Sequence, residues 1–141
     1  MNQESYRLSV DGCQNCKKQN MEYTSLEVWI ESRKLTNLVY NLTKNFPKEE
    51  IYGLTNQIRR SAVSVPSNIA EGCGRRTSKD TLQFLHISRG SLYELETQFY
   101  LALDQKYISA EEFSQVANQS LICKKLLNGF INYYKNLENG K

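Results

Sequence analysis

The last third of the chain sets the strongest constraint on its fold. Phe113, Val116, Ser120, Cys123, Leu127, Phe130, Tyr134 and Leu137 follow one another at alternating steps of three and four without a break. Such steps return to one side of an α-helix, so the run predicts one long helix with a continuous apolar seam. Glu111 and Glu112 follow Ser109, which places the helix start near Ser109. A seam of that length must be covered by other helices, and the remaining sequence supplies three.

The first runs over about residues 24–45, with Thr24 or Ser25 as the expected cap. Leu35, Leu38, Leu42 and Phe46 form its apolar face. Pro47 suits the first position of a second helix, where a missing N–H costs nothing, and Glu49 and Glu50 complement its positive end. Leu54, Ile58, Ala62, Val65 and Ile69 continue it at steps of four, four, three and four. Pro66 falls inside that series and predicts a kink, because it removes a backbone bond and crowds the carbonyl of Ala62. The third helix starts near Thr77, where Thr77 and Asp80 resemble a capping box. Leu85, Ser88, Leu92, Leu95, Phe99 and Ala102 make its seam. Four helices with short connections predict an all-α, antiparallel up-down-up-down four-helix bundle. It would occupy residues 24–138, and residues 1–23, which lack periodicity, are set apart as an irregular extension. Phe84, Ile87 and Tyr100 on the third helix, and Leu121, Ile122 and Leu126 on the fourth, lie off the main seams. They predict a second apolar face and self-association.

With two prolines and seven glycines in 141 residues, a many-turned sandwich is excluded, as is a linker-like chain. No run of about 18 apolar residues is present and no membrane partner is expected. No secretory leader pattern precedes the helices, so the expected compartment is the cytoplasm, with reduced thiols. Net charge is only +3, but six basic residues face two acidic ones between Arg59 and Arg89. Local positive charge of that kind attracts polyanions.

The stretch "SVPSNIAEGCGRR" (64–76) admits three readings: a phosphate-cradling loop, a metal or redox loop around Cys73, or a bend between two helices. A P-loop needs a preceding strand, wider glycine spacing and a Lys-Ser/Thr pair, none of which is here. The bend is favoured, with Gly72 or Gly74 in a left-handed conformation ending the second helix and Thr77 capping the third. Arg75 and Arg76 are then displayed at a hairpin tip beside helix N-terminal amides, where anions are welcome. The nucleic-acid-binding candidates are therefore Arg59, Arg60, Arg75, Arg76 and Lys79. Gln57, Ser61, Ser64, Asn68 and Glu71 share one helical face. With Arg89 they form an expected structural polar network, in which Glu71 pairs with Arg89 or Arg60 and Ser64 or Ser67 serves the carbonyl freed by Pro66.

Catalysis has little support. Cys13 and Cys16 are a single pair, short of four zinc ligands. Cys123 sits on the seam as a small hydrophobe. His86 lacks any nucleophile-and-base spacing, and Glu-x-x-His di-iron pairs are missing. No metal, cofactor or catalytic residue is expected, and the tyrosines read as seam residues rather than base-stacking platforms.

The sequence from Leu26 onward, most specifically Tyr52 to Glu96, resembles the small four-helix-bundle proteins encoded within intervening sequences of 23S ribosomal RNA genes. That family in turn looks related to the accessory variability determinant proteins of diversity-generating retroelements. The resemblance covers about residues 26–137. It implies a homopentameric barrel and, from the retroelement relatives, a basic surface contacting nucleic acid and a reverse transcriptase. The 1–23 extension and Cys73 in the glycine loop depart from the pattern. Together these readings predict a non-enzymatic cytoplasmic oligomer that binds the RNA or DNA backbone, as an accessory factor in a ribonucleoprotein. The alternatives are a protein-interaction scaffold whose arginines serve internal or intersubunit ion pairs, and a thiol or metal protein using Cys13 and Cys16.

Overall fold

The structure, a computed structural model, describes residues 22–140; the 1–23 extension, with Cys13 and Cys16, lies almost wholly outside the described residues. Four helices carry the fold: α1 (Glu27–Thr43), α2 (Leu54–Cys73), α3 (Ser78–Asp104) and α4 (Ala110–Asn139), with short 3-10 turns at Tyr23–Ser25 and Lys48–Glu50. No strand occurs among the described residues. The apolar faces meet in one core that includes Leu35, Val39, Ile58, Ile69, Leu85, Leu92, Phe99, Leu127 and Tyr134. Cross-helix contacts pair α1 with α2 through Thr36 and Ala62, and through Thr43 and Arg59. Contacts of α2 with α3 include Ser64 with Ser91, Val65 with Ser88 and Gly72 with Thr81, and Glu96 of α3 meets Lys124 of α4.

Helix ends differ from expectation in three places. Tyr23–Ser25 forms a 3-10 turn, so neither Thr24 nor Ser25 caps α1; Leu26 holds the cap position without a side-chain bond. Pro47 opens only the 3-10 turn, because Gly53 (ψ −118°) leaves helical geometry and α2 starts at Leu54. Glu50 serves that later start directly, its Oε2 accepting from the Leu54 N–H at 2.8 Å. No described glycine has a positive φ. Gly74 ends α2 in right-handed geometry (φ −82°), its N–H donating to the carbonyls of Ala70 and Glu71. At the start of α4 the expectation holds fully, since Ser109 and Glu112 form a reciprocal capping box.

Gly72 does a different job from the one its neighbourhood suggested. It is buried, and a Cβ there would sit 3.2 Å from both the Phe84 Cβ and the Thr81 carbonyl oxygen. Thr81 Oγ1 donates to the Gly72 carbonyl at 2.8 Å. The missing side chain thus lets α3 press against the end of α2 and fixes the hairpin that carries Arg75 and Arg76.

Pro66 lies inside a continuous α2. Its missing N–H strips the Ala62 carbonyl of its helical partner. The donor that reaches it is Thr36 on α1 rather than Ser64 or Ser67; Thr36 Oγ1 is 3.0 Å from the Ala62 oxygen and also 3.0 Å from the Ser32 carbonyl, so its one proton is shared between the two. From the α3 side the Ser88 hydroxyl donates to the Val65 carbonyl at 2.8 Å. Thr36→Val keeps the shape but removes the donor, leaving a carbonyl without a partner in the core. A loss of about 1–3 kcal/mol in denaturant unfolding is expected, with Thr36→Ser close to wild type. An unchanged midpoint in Thr36→Val would show that the carbonyl is served from elsewhere.

Candidate nucleic-acid interface

The five basic candidates divide into two places rather than one patch. Arg59 and Arg60 lie in the first half of α2, whereas Arg75, Arg76 and Lys79 surround its far end. The two groups are separated by about 20 Å of helix at 1.5 Å per residue.

At the hairpin, Arg75 and Arg76 are exposed in the link between α2 and α3, and Lys79 is exposed in the first turn of α3. Thr77 caps α3, its Oγ1 accepting from the Asp80 N–H at 3.1 Å. Arg75 is already engaged. Its Nη2 donates to Glu71 Oε1 at 2.8 Å, and its guanidinium lies 4.5 Å from the centre of the Phe84 ring. Phe84 is therefore half-buried under an arginine rather than part of a free apolar face. Arg76 and Lys79 have no ion-pair partner among the described residues. Asp80 in the same turn already complements the helix dipole. The charge offered at the tip therefore comes from the Arg76 and Lys79 side chains more than from the amides.

In the first half of α2, Arg59 is half-buried: its Nε donates to Thr43 Oγ1 at 2.9 Å and its guanidinium lies 4.9 Å from the Tyr40 ring centre. Arg60 is exposed. Both line an open groove of about 900 Å³ that also includes Tyr40, Tyr52, Ser67 and Asn68. On its other side Arg60 shares a smaller cleft with Glu94 of α3, though no ion pair forms there.

The polar stripe forms in part. Ser64 and Ser91 hydroxyls are 2.8 Å apart, and Asn68 Nδ2 donates to the Ser64 carbonyl and hydroxyl at 2.8 and 2.9 Å. Ser61 Oγ donates to the Gln57 carbonyl, while the Gln57 side chain is exposed. Glu71 and Arg89 do not meet. Glu71 takes the nearer Arg75, four residues along the same helix, while Arg89 projects to α4 and donates to Asn128 Oδ1 at 3.1 Å. Arg89 Nη2 is also 3.2 Å from His86 Nδ1. Burial, with the charges of Arg89 and Lys135, pushes the His86 pKa down, which favours the neutral ring that accepts this bond.

Among the described residues no cluster of three or more His, Cys, Asp or Glu side chains could hold a metal. Burial pushes the Cys123 thiol up to about 12, so it is not a nucleophile near neutral pH. The folded state keeps that proton while the unfolded state, with an ordinary thiol, loses it from about pH 8.5 upward. The Cys123 contribution to stability is therefore full below that pH and is lost progressively toward pH 12. Melting curves should show a decline over this window that is shallower in Cys123→Ala; equal declines would contradict the assignment. No described helix is long and apolar enough to cross a membrane.

Fold and surface together define a four-helix bundle that presents basic side chains at two sites along its second helix and the turn after it. The match to a family model is more specific. Residues 24–129, which include α1 to α3 and most of α4, match the 23S rRNA-intervening sequence protein, and the chain belongs to that family. A crystal structure of a protein with unknown function from the S23 ribosomal protein family of Bacteroides thetaiotaomicron VPI-5482 is similar, with a TM-score of 0.69 and 27% identity. The likeness covers 74% of this chain and 97% of that one. Comparison with curated proteins gave no match.

Proposed function

We propose that this protein is a non-enzymatic, self-associating bundle that binds the phosphate backbone of RNA or DNA through its basic surface, as an accessory factor in a ribonucleoprotein. The observation that carries this reading is that Arg60, Arg76 and Lys79 are exposed and form no ion pair with any described carboxylate. Unpaired surface cations attract polyanions, and each phosphate they neutralise releases a counterion condensed on the nucleic acid. Self-association is supported by Ile87, Tyr100, Leu121 and Ile122, which are 48%, 59%, 47% and 37% exposed on α3 and α4. Leu126, by contrast, is buried in the core and offers nothing to a partner. A homopentamer, which the family resemblance implies, would cover that surface. Light scattering on purified protein tests the assembly, and anisotropy titration of a labelled structured RNA tests the binding. A monomer would overturn the first part, and absence of binding at low salt the second.

A second reading, a protein-interaction scaffold, draws on the Arg75–Glu71 pair and on Glu94 across the cleft from Arg60. It predicts that Arg60→Ala dissociates or destabilises the assembly without any effect on RNA.

A further inference from the structure

We propose that the groove along the first half of α2 is a subsite for single-stranded nucleic acid, in which Tyr52 stacks on an unpaired base while Arg59 and Arg60 hold the adjoining phosphates. This rests on the phosphate-binding reading above and specifies the form of nucleic acid taken at this place. Tyr52 is 93% exposed, next to Ile51 at 47%, Val63 at 41% and Tyr40 at 40%. Among the described residues the Tyr52 ring has no aromatic or cationic partner, while Tyr40 is covered by Arg59.

An aromatic ring left in water beside further apolar side chains has both faces open to a flat apolar partner. The groove of about 900 Å³ is roomy enough for an unstacked nucleotide. Its lining includes two arginines and no carboxylate, so its charge complements a phosphodiester chain. Thr43 and Tyr40 fix Arg59 in place, whose terminal nitrogens have no partner among the described residues. That arrangement lowers the entropy cost of a phosphate contact. Asn68 spends its amide hydrogens on Ser64. Ser67 and Asn56, both exposed on the groove wall, remain to meet base or ribose edges.

Stacked aromatics interleaved with basic groups are how proteins hold single strands without strong sequence preference. A duplex keeps its bases stacked within itself and could use the arginines but not the ring.

The test compares a labelled single-stranded RNA of about a dozen nucleotides with a duplex of the same length, in wild type, Tyr52→Ala and Tyr52→Phe. Tyr52→Ala is expected to weaken single-strand binding about tenfold and leave duplex binding unchanged. Tyr52→Phe is expected to bind like wild type, since the ring rather than the hydroxyl makes the contact. If Tyr52→Ala binds single strands as wild type does, or loses both forms equally, the subsite is refuted while salt-dependent duplex binding still supports the broader reading. If wild type binds neither form at low salt, the phosphate-binding reading fails and takes the subsite with it.

Discussion

Replacing Arg60, Arg76 and Lys79 together by alanine is expected to lower affinity for structured RNA a hundredfold or more at about 50 mM salt. It should also flatten the log–log salt slope by about two to three units. Each phosphate contact releases close to one condensed counterion, so three lost contacts remove about that much slope. The three side chains are exposed and unpaired among the described residues, so the melting temperature should hardly move. Arg75→Ala is the informative comparison. Its guanidinium already faces Glu71, and both members of that pair are about half exposed (44% and 53%), so the pair contributes little to stability. Arg75→Ala should therefore cost less affinity than Arg76→Ala, although the two residues are adjacent. Anisotropy titrations over a salt series measure both quantities, and a triple variant that binds as wild type does would remove the basic surface from the account.

Tyr134→Ala is expected to destabilise the bundle by about 3–5 kcal/mol, seen as a drop of some 10–20 °C in melting temperature. Tyr134 is fully buried, and its ring packs edge-on against Phe130 at 5.3 Å and Tyr133 at 5.2 Å. Truncation removes the transfer energy of a large side chain, opens a cavity and breaks both aromatic contacts. Leu137 was expected on the same seam but is 37% exposed, so Leu137→Ala should cost less than about 1 kcal/mol. Similar costs for the two variants in urea unfolding would show that the seam runs past Tyr134.

Much of the fold was legible because helical periodicity reports burial directly. The seam residues Val116, Ser120, Cys123, Leu127, Phe130 and Tyr134 are all buried, as are Ile58, Ala62, Val65 and Ile69. What periodicity cannot carry is contact between elements far apart in sequence. Thr36 looked like an ordinary residue beside the α1 seam, yet it restores the carbonyl that Pro66 frees 26 residues away. Gly72 resembled a turn residue because glycine serves both tight turns and close approach, and only the position of Phe84 and Thr81 decides between them. The arginines show the same limit. Counting charges located a basic segment, but Glu71 lies one turn before Arg75 and removes it from the free set. The groove was missed because Tyr52 reads with the other tyrosines as a seam residue, whereas it is 93% exposed.

If the unpaired cations of this bundle hold phosphates, as proposed, its binding to nucleic acid must depend on salt. Binding of wild-type protein to a labelled structured RNA between about 50 and 200 mM salt tests it most directly. Clear binding at the lower salt is expected, with a steep linear fall of log affinity against log salt of at least about two units of slope. No binding at 50 mM, or an affinity indifferent to salt, would contradict it.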